Sequence, residues 1–273
     1  MVNIIIHLPW EFTPTSGGNM ACHILNHNLS VVGYNSYITT NKLNSLYKGQ
    51  SITELDAIKL SQQDNTIVIY PEIYSNNPLN CKKVIRWILN SPDVFGKNEH
   101  TYGENDIYLK YASFYKVQYE ERVKGLLGAT DPNPYPFKNY NLTRKGMCHL
   151  IRKGNEKSQN WHTSDSISID NYFIGNINYS NLEQIFNKKE KFISYDDCSY
   201  ISVIAALCGC LSIVVPKNGI KKEDFHVNHF KYGISYGLDD LDYAKSTINL
   251  IPKYLKELQE ESIEQARKIP SYF

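Results

Sequence analysis

The sequence predicts an α/β protein of two domains, each an open parallel sheet with helices laid on it. Three observations predict it. Short apolar runs rich in β-branched residues alternate with helix-like stretches along most of the chain, the order expected of parallel sheets. The length of 273 residues is nearly twice a typical domain of roughly 150. Residues 128–146, dense in Pro and Asn, interrupt the alternation once, after which it restarts. The expected domains are residues 1–135 and 136–273.

The elements follow in order. Val2 to His7 is a buried strand by its run of isoleucines. Pro9, Pro14 and Gly17-Gly18 mark a loop, and Met20 to Val32 carries apolar residues at helical spacing. Tyr37 to Thr40 reads as a strand. Ser51-Ile52-Thr53-Glu54 has the form of a capping box opening a helix to Gln63. Thr66 to Tyr70 is a strand, Asn80 caps a helix running to Leu89, and Asp106 to Tyr111 is a strand. In the second half Met147 to Ile151 is a strand ending in Arg152-Lys153-Gly154. Ser180-Asn181-Leu182-Glu183 opens a helix to Lys188. Lys191 to Ser194 is a strand, Cys198 to Leu207 a helix, and Leu211 to Val215 and Ile234 to Tyr236 are strands. Leu241 to Ile251 and Lys253 to Arg267 are helices with Pro252 at the joint.

Composition narrows the function. Hydrophobic residues are 42% and charged residues 21%, enough apolar surface for a sizeable core. Lys+Arg total 29 against 28 Asp+Glu, a formal charge of +1, which lacks the basic footprint of a dedicated nucleic-acid binder. The N-terminus lacks the pattern of a signal peptide, and no run reaches the ~18 apolar residues of a membrane span. A soluble, cytoplasmic protein is expected, compatible with peripheral membrane association. The six cysteines form no CxxC, so they read as buried thiols.

The common nucleotide motifs GxGxxG and GxxxxGK[ST] are missing, as are GxSxG and HExxH. Two other features suit a diphosphate. Tyr195-Asp196-Asp197-Cys198-Ser199-Tyr200 lies between a strand and a helix, where Asp197 or Ser199 is expected to cap the helix and aim free amides at a ligand. Arg152 and Lys153, with Lys157 nearby, end the first strand of the same half and can neutralise a leaving diphosphate. In the first half, Thr15-Ser16-Gly17-Gly18-Asn19 joins the first strand to the first helix, and Gly17 and Gly18 permit close backbone approach. Glu11, Glu72, Asp106 and His7 flank strands and are candidate bases. Glu72 is favoured and Asp106 is its rival, because ligands gather at the carboxyl ends of parallel strands. His23 and His27 stand at metal-ligand spacing on one helix, but no third ligand is identifiable, and no metal site is expected.

The segment from Lys191 to Tyr200, with Ala205-Ala206-Leu207-Cys208-Gly209-Cys210 and Ile213-Val214-Val215-Pro216, resembles the donor half of GT-B glycosyltransferases. Val68 to Ile73, Asn77-Pro78-Leu79 and Val84 to Asn90 look like the acceptor half of the members that build polysaccharides. The Glu-x7-Glu pattern of many retaining members is not apparent, so the stereochemistry stays open. The resemblance implies a compact version of two Rossmann-like domains facing a cleft, with a C-terminal helix able to cross back to the first domain. It implies transfer of a sugar from a nucleotide-diphosphate sugar to a glycan or glycolipid hydroxyl. That donor is a substrate; neither a cofactor nor a metal is required. Tyr195, Asp196, Ser199 and Tyr200 would contact the donor with Arg152, Lys153 and Lys157. A nucleotide-sugar epimerase, or a non-catalytic nucleotide or sugar binder, is the alternative.

Overall fold

The computed structural model describes residues 1–14, 16–92, 99–132, 134–154, 160–173, 178–228 and 230–273. The chain divides into two compact units. Unit 1 is Met1–Asn133 with Lys256–Phe273, and unit 2 is Pro134–Leu255. Each is an α/β layer structure around its own sheet, and every described strand pair in both sheets is parallel.

Unit 1 holds seven strands: β1 (Asn3–Ile6), β2 (Asn35–Ile38), β3 (Gln50–Ser51), β4 (Thr66–Pro71), β5 (Val84–Ile88), β6 (Ile107–Lys110) and β7 (Val123–Leu126). Their lateral order is β3-β2-β1-β4-β5-β6-β7. Helix α1 (Gly17–Val31) connects β1 to β2, and α2 (Glu54–Ser61) connects β3 to β4. The triple isoleucine of β1 shows why both faces need cover. Ile4 and Ile6 pack with Ala21, Cys22, Leu25 and Leu29 of α1. Ile5 points the other way, to Ala57 of α2 and to Val68 and Tyr70. The C-terminal helix α7 (Ile251–Arg267) starts in unit 2, and its second half belongs to unit 1. There Ala266 and Ile269 join the core, Ser262 meets Asn28, and Gln265 Oε1 accepts the Gly128 N–H at 2.6 Å.

Unit 2 holds β8 (Met147–Leu150), β9 (Ile167–Ser168), β10 (Lys191–Ser194), β11 (Leu211–Val214) and β12 (Ile234–Tyr236), in the order β12-β11-β10-β8-β9. Helices α3 (Tyr179–Lys188) and α4 (Ile201–Leu207) cover one face. Leu182, Phe186, Ile201 and Ile204 pack there on Cys148, Leu150 and Phe192. Helix α5 (Lys222–Asn228) lies between β11 and β12, and α6 (Leu241–Thr247) follows β12.

Several expectations need correction. Residues 80–89 hold no helix, because Val84–Ile88 is β5, buried at all five positions. A short apolar run of Val, Ile and Trp has no period that separates helix from strand, and its β-branched and aromatic content suits the sheet. The cap of α2 is Thr53, whose oxygen accepts the Asp56 N–H, while Ser51 belongs to β3. The cap of α3 is Asn178, two residues before the expected Ser180. Pro252 is the second residue of α7, where its missing N–H costs nothing, so it marks a helix start. The edge pieces β3, β7 and β9, together with α5, carry too little pattern for the sequence to have shown them. No helix among the described residues is long and apolar enough to cross a membrane.

Candidate functional site

The strand orders locate the ligand crevices. Numbered within itself, unit 2 has the order 2-1-3-4-5, and unit 1 has 3-2-1-4-5-6-7. Both are doubly wound orders, and such sheets bind ligands outside the carboxyl ends of the strands where the winding reverses. The reversal falls between β8 and β10 in unit 2 and between β1 and β4 in unit 1.

In unit 2 the residues at that point are Arg152-Lys153-Gly154 after β8 and Asp196-Asp197 after β10. Asp170 shapes the first group. Its carboxylate accepts the N–H of Ile151 at 3.0 Å and of Arg152 at 2.9 Å. This grip holds Arg152 at φ +38°, a left-handed conformation that non-glycine residues seldom adopt, in a single 3-10 turn. Gly154 closes the turn against the end of β10, where a Cβ would land on the carbonyl group of Tyr195. The turn therefore seats on β10 only because residue 154 is glycine.

Asp196 is the acidic member of the site. It is 8% exposed, and its Oδ1 accepts the Cys198 N–H at 3.2 Å. Burial pushes its carboxyl above the usual range, opposed by the Cys198 amide and then by the charges of Lys153 and Arg152. The two cations and the carboxyl thus share one electrostatic neighbourhood. Lys217, just past β11, adds a third cation, with Nζ 3.9 Å from Asp197 Oδ2. Three cations and two carboxylates meet at the ends of three adjacent strands.

Other expected members play different parts. Tyr195 is fully buried against Ile193, Ile213 and Val215, and its hydroxyl meets the Trp161 N–H at 3.0 Å and His162 Nδ1 at 2.8 Å. It is a core residue, because it continues past β10 on the same face as Ile193, two positions before it. Neither Asp197 nor Ser199 caps α4: the residue before that helix is Tyr200, with no side-chain cap bond, and Asp196 instead caps the turn at 196–198. Ser199 is buried, and its carbonyl accepts the Ser202 N–H at 3.0 Å. Tyr200 is 45% exposed. Lys157 lies outside the described residues. Lys217, Asp170 and the steric demand at Gly154 escaped sequence reasoning. Lys217 alone had a visible signal, since it follows the Val214-Val215-Pro216 strand end.

In unit 1 the crevice gathers His7 after β1, Glu72 after β4, and the loop into α1. Gly17 and Gly18 are the first residues of α1, behind its cap Ser16, and neither has positive φ. The expected need for glycine conformations is thus corrected: a Cβ on Gly17 would meet nothing within 4 Å, and one on Gly18 only Leu89 at 3.6 Å. Glu72 is 3% exposed, and its Oε2 accepts the Leu89 N–H at 3.0 Å, tying the end of β4 to that of β5. Asp106 is at the opposite end, before β6. It holds the fully buried Arg86, Nε to Oδ2 2.7 Å, and also accepts the Gly103 N–H at 2.9 Å. The Asp106 carboxylate is thus the counter-ion of a buried guanidinium at the end of the sheet opposite the crevice, which favours Glu72 or His7 over it as the base. Glu11 is exposed on the loop after β1. His7 Nδ1 lies 3.3 Å from Thr39 Oγ1, and burial holds its imidazole below the ordinary value, with Glu54 opposing.

His23 and His27 have separate surroundings. His27 Nδ1 accepts the Lys48 N–H at 2.9 Å. His23 is 2% exposed, sits edge-on to Phe12, and has no hydrogen-bond partner on Nε2. Burial pulls its pKa down to about 4 from 6.5. The folded state therefore favours the neutral ring: its stability is complete above pH 6.5 and declines as pH falls toward 4. By pH 5 the loss from this one group is about 2 kcal/mol. His23→Met is expected to lessen the pH 7-to-5 drop in urea stability by about that amount. An unchanged drop would show that His23 is not the group being protonated.

The chain is thus a two-unit Rossmann-like α/β protein, with a crevice rich in charge at the strand reversal of its second unit. No family model matches it, and no curated protein matches it. Among solved structures it matches the one described as "Crystal Structure of WaaG, a glycosyltransferase involved in lipopolysaccharide biosynthesis". The identity is 10% and the TM-score 0.48, over 97% of this chain and 94% of that one.

Proposed function

We propose that the protein transfers a glycosyl group from a nucleoside-diphosphate sugar to a hydroxyl of a glycan or glycolipid acceptor, without a metal. The observation that carries this reading is the turn Arg152-Lys153-Gly154, which brings two cations to the strand-reversal point of unit 2 beside Asp196. As the bond from the sugar's anomeric carbon to the diphosphate breaks, negative charge grows on the leaving oxygens. Arg152, Lys153 and Lys217, gathered at the strand ends before the reaction, stabilise that charge electrostatically. Asp196, buried and half surrounded by cations, is suited to accept a hydrogen bond from a donor hydroxyl. The acceptor binds at the crevice of unit 1, where His7 and Glu72 are the leading candidates to take its proton.

Calorimetric titration with UDP, GDP and dTDP tests the donor site. Arg152→Ala and Lys153→Ala are each expected to weaken binding of the preferred diphosphate by about 1.5–3 kcal/mol, as for hydrogen bonds to a charged group. Alanine at 152 keeps a non-glycine residue in the strained turn, so the change isolates the guanidinium. Unchanged affinity in both variants would remove the diphosphate site. In an assay with acceptor, His7→Asn and Glu72→Gln are compared; the variant that loses turnover while keeping donor affinity identifies the base. Turnover that vanishes with EDTA and returns with Mn²⁺ or Mg²⁺ would overturn the metal-free mechanism.

A further inference from the structure

We infer that unit 1 carries a saccharide-binding platform built on the indole of Trp10. The chain has three tryptophans. Trp87 is fully buried on β5, with its Nε1 donating to Leu127 O at 2.8 Å, and Trp161 is partly buried in unit 2. Trp10 alone is 51% exposed, and it lies where β1 reaches the strand reversal of its sheet. Its ring does not hang free. It stacks on Tyr74, centroids 5.5 Å apart and 25° between planes, and Tyr74 in turn packs edge-on against His7 at 4.7 Å. One side of the indole is thus supported by Tyr74, and half of the residue's surface is open to solvent.

The backbone beneath the ring is fixed as firmly. Thr40 Oγ1 donates to Trp10 O at 2.7 Å, and Thr39 Oγ1 accepts the Leu8 N–H at 2.8 Å. Asn19, 6% exposed, donates to Glu11 O and accepts the Thr13 N–H, both at 3.0 Å. A large exposed aromatic on a mobile loop would lose freedom on binding; the backbone hydrogen bonds and the contact with Tyr74 reduce that cost here. A rigid exposed indole is what a flat apolar face needs as a partner.

Two ligand classes present such a face, a sugar ring and a nucleobase. The charges favour the sugar. Glu11 adjoins the platform and is exposed, and the carboxylate of Glu54 acts on both His7 and Tyr74, against one exposed cation, Lys42, whose carbonyl accepts the Phe12 N–H. Carboxylates accept hydrogen bonds from sugar hydroxyls and repel the phosphates that travel with a nucleobase. The ligand assigned to this platform is therefore a neutral saccharide. Its name as the acceptor rests on the transferase reading above, whereas binding itself does not.

The test is tryptophan fluorescence during titration with maltotriose, cellotriose and mannotriose, with UDP as comparator, on the whole chain. The wild type is expected to show a saturable change with at least one trisaccharide. Trp10→Ala should weaken that affinity about 10-fold, the size of one lost stacking contact. Trp10→Phe keeps an aromatic face and should stay within about 3-fold by competition calorimetry. Thermal melting of both variants should match the wild type, because the ring is half in water. Equal trisaccharide affinity in the wild type and Trp10→Ala, binding of none of the three, or a response to UDP that Trp10→Ala abolishes would each overturn the platform. Loss of the diphosphate site in unit 2, read from the Arg152 and Lys153 variants, would overturn the transferase reading and leave the platform standing.

Discussion

Gly154→Ala is expected to be among the most damaging single-methyl changes in the chain. The added carbon would overlap the carbonyl of Tyr195 and come within 2.6 Å of that residue's Cβ. Both obstacles belong to the end of β10, a strand paired to β8 and β11 on its two sides, so neither can retreat. The turn itself must lift away. Overpacking of this kind costs about 1–3 kcal/mol, and contact with main chain puts it at about 3. Lifting the turn also moves Arg152 and Lys153 from Asp196, so diphosphate affinity should fall by more than in either alanine variant of the cations. Gly17→Ala is the control, because the same methyl there meets open space; its stability should stay within about 0.5 kcal/mol. Urea unfolding and calorimetry read both effects. A Gly154→Ala protein with wild-type midpoint and affinity would show that the turn does not depend on contact with β10.

Asp106→Ala is expected to cost about 3–5 kcal/mol of stability, the usual result of stranding one member of a buried ion pair. Arg86 is fully buried, packed between the rings of Tyr70 and Tyr102, and also donates to the carbonyls of Tyr74 and Asn76. Its charge has no route to water when the carboxylate is gone. Asp106→Asn retains an acceptor for Nε and should cost less. Arg86→Met combined with Asp106→Leu should recover only part of the loss, because the two carbonyls then lack a donor. The same series separates structure from chemistry: turnover per folded molecule should be unchanged in Asp106→Asn. A wild-type urea midpoint in Asp106→Ala would mean that the pair holds nothing together.

Much of the architecture was legible because buried parallel strands advertise themselves. Ile4-Ile5-Ile6, Thr66 to Tyr70 and Leu211 to Val214 are short, β-branched and bounded by turn residues. Their strand character follows from covering both faces, a local fact of composition. The limit of that signal shows at Val84 to Ile88, where the same kind of run suits a helix equally well. Asn80 supplied a convincing cap just ahead of it, and nothing in five residues could refute the cap. The capping boxes at Ser51 and Ser180 failed by two residues for a related reason. Thr53 and Asn178 are equally good caps, and the choice among neighbouring hydroxyl and amide side chains depends on where the helix axis must start to lie on the sheet.

The candidate site divides along the same line. The sequence by itself determined that a cation pair ends β8 and an acidic pair ends β10, since a residue just past a buried strand comes out at the strand's end whatever the rest of the fold does. It also determined that Glu72 and His7 come at the carboxyl ends of strands and that Asp106 comes at the start of one. Only the tertiary structure decided which of these ends lie side by side. Chain order would set β9 between β8 and β10, yet β10 pairs with β8 directly and β9 is at the edge. That rearrangement brings Asp196 to Lys153 and leaves Lys217 the next strand over. Tertiary structure likewise moved the requirement for glycine from Gly17 and Gly18, where both residues turned out to be ordinary helix, to Gly154, where another strand comes too close for a side chain. The physical reason is common to both outcomes. Strand and turn preferences are fixed by a few neighbouring dihedrals and side chains, whereas lateral strand order and close approach are fixed by how distant segments bury one another's surfaces, which no short stretch of sequence contains.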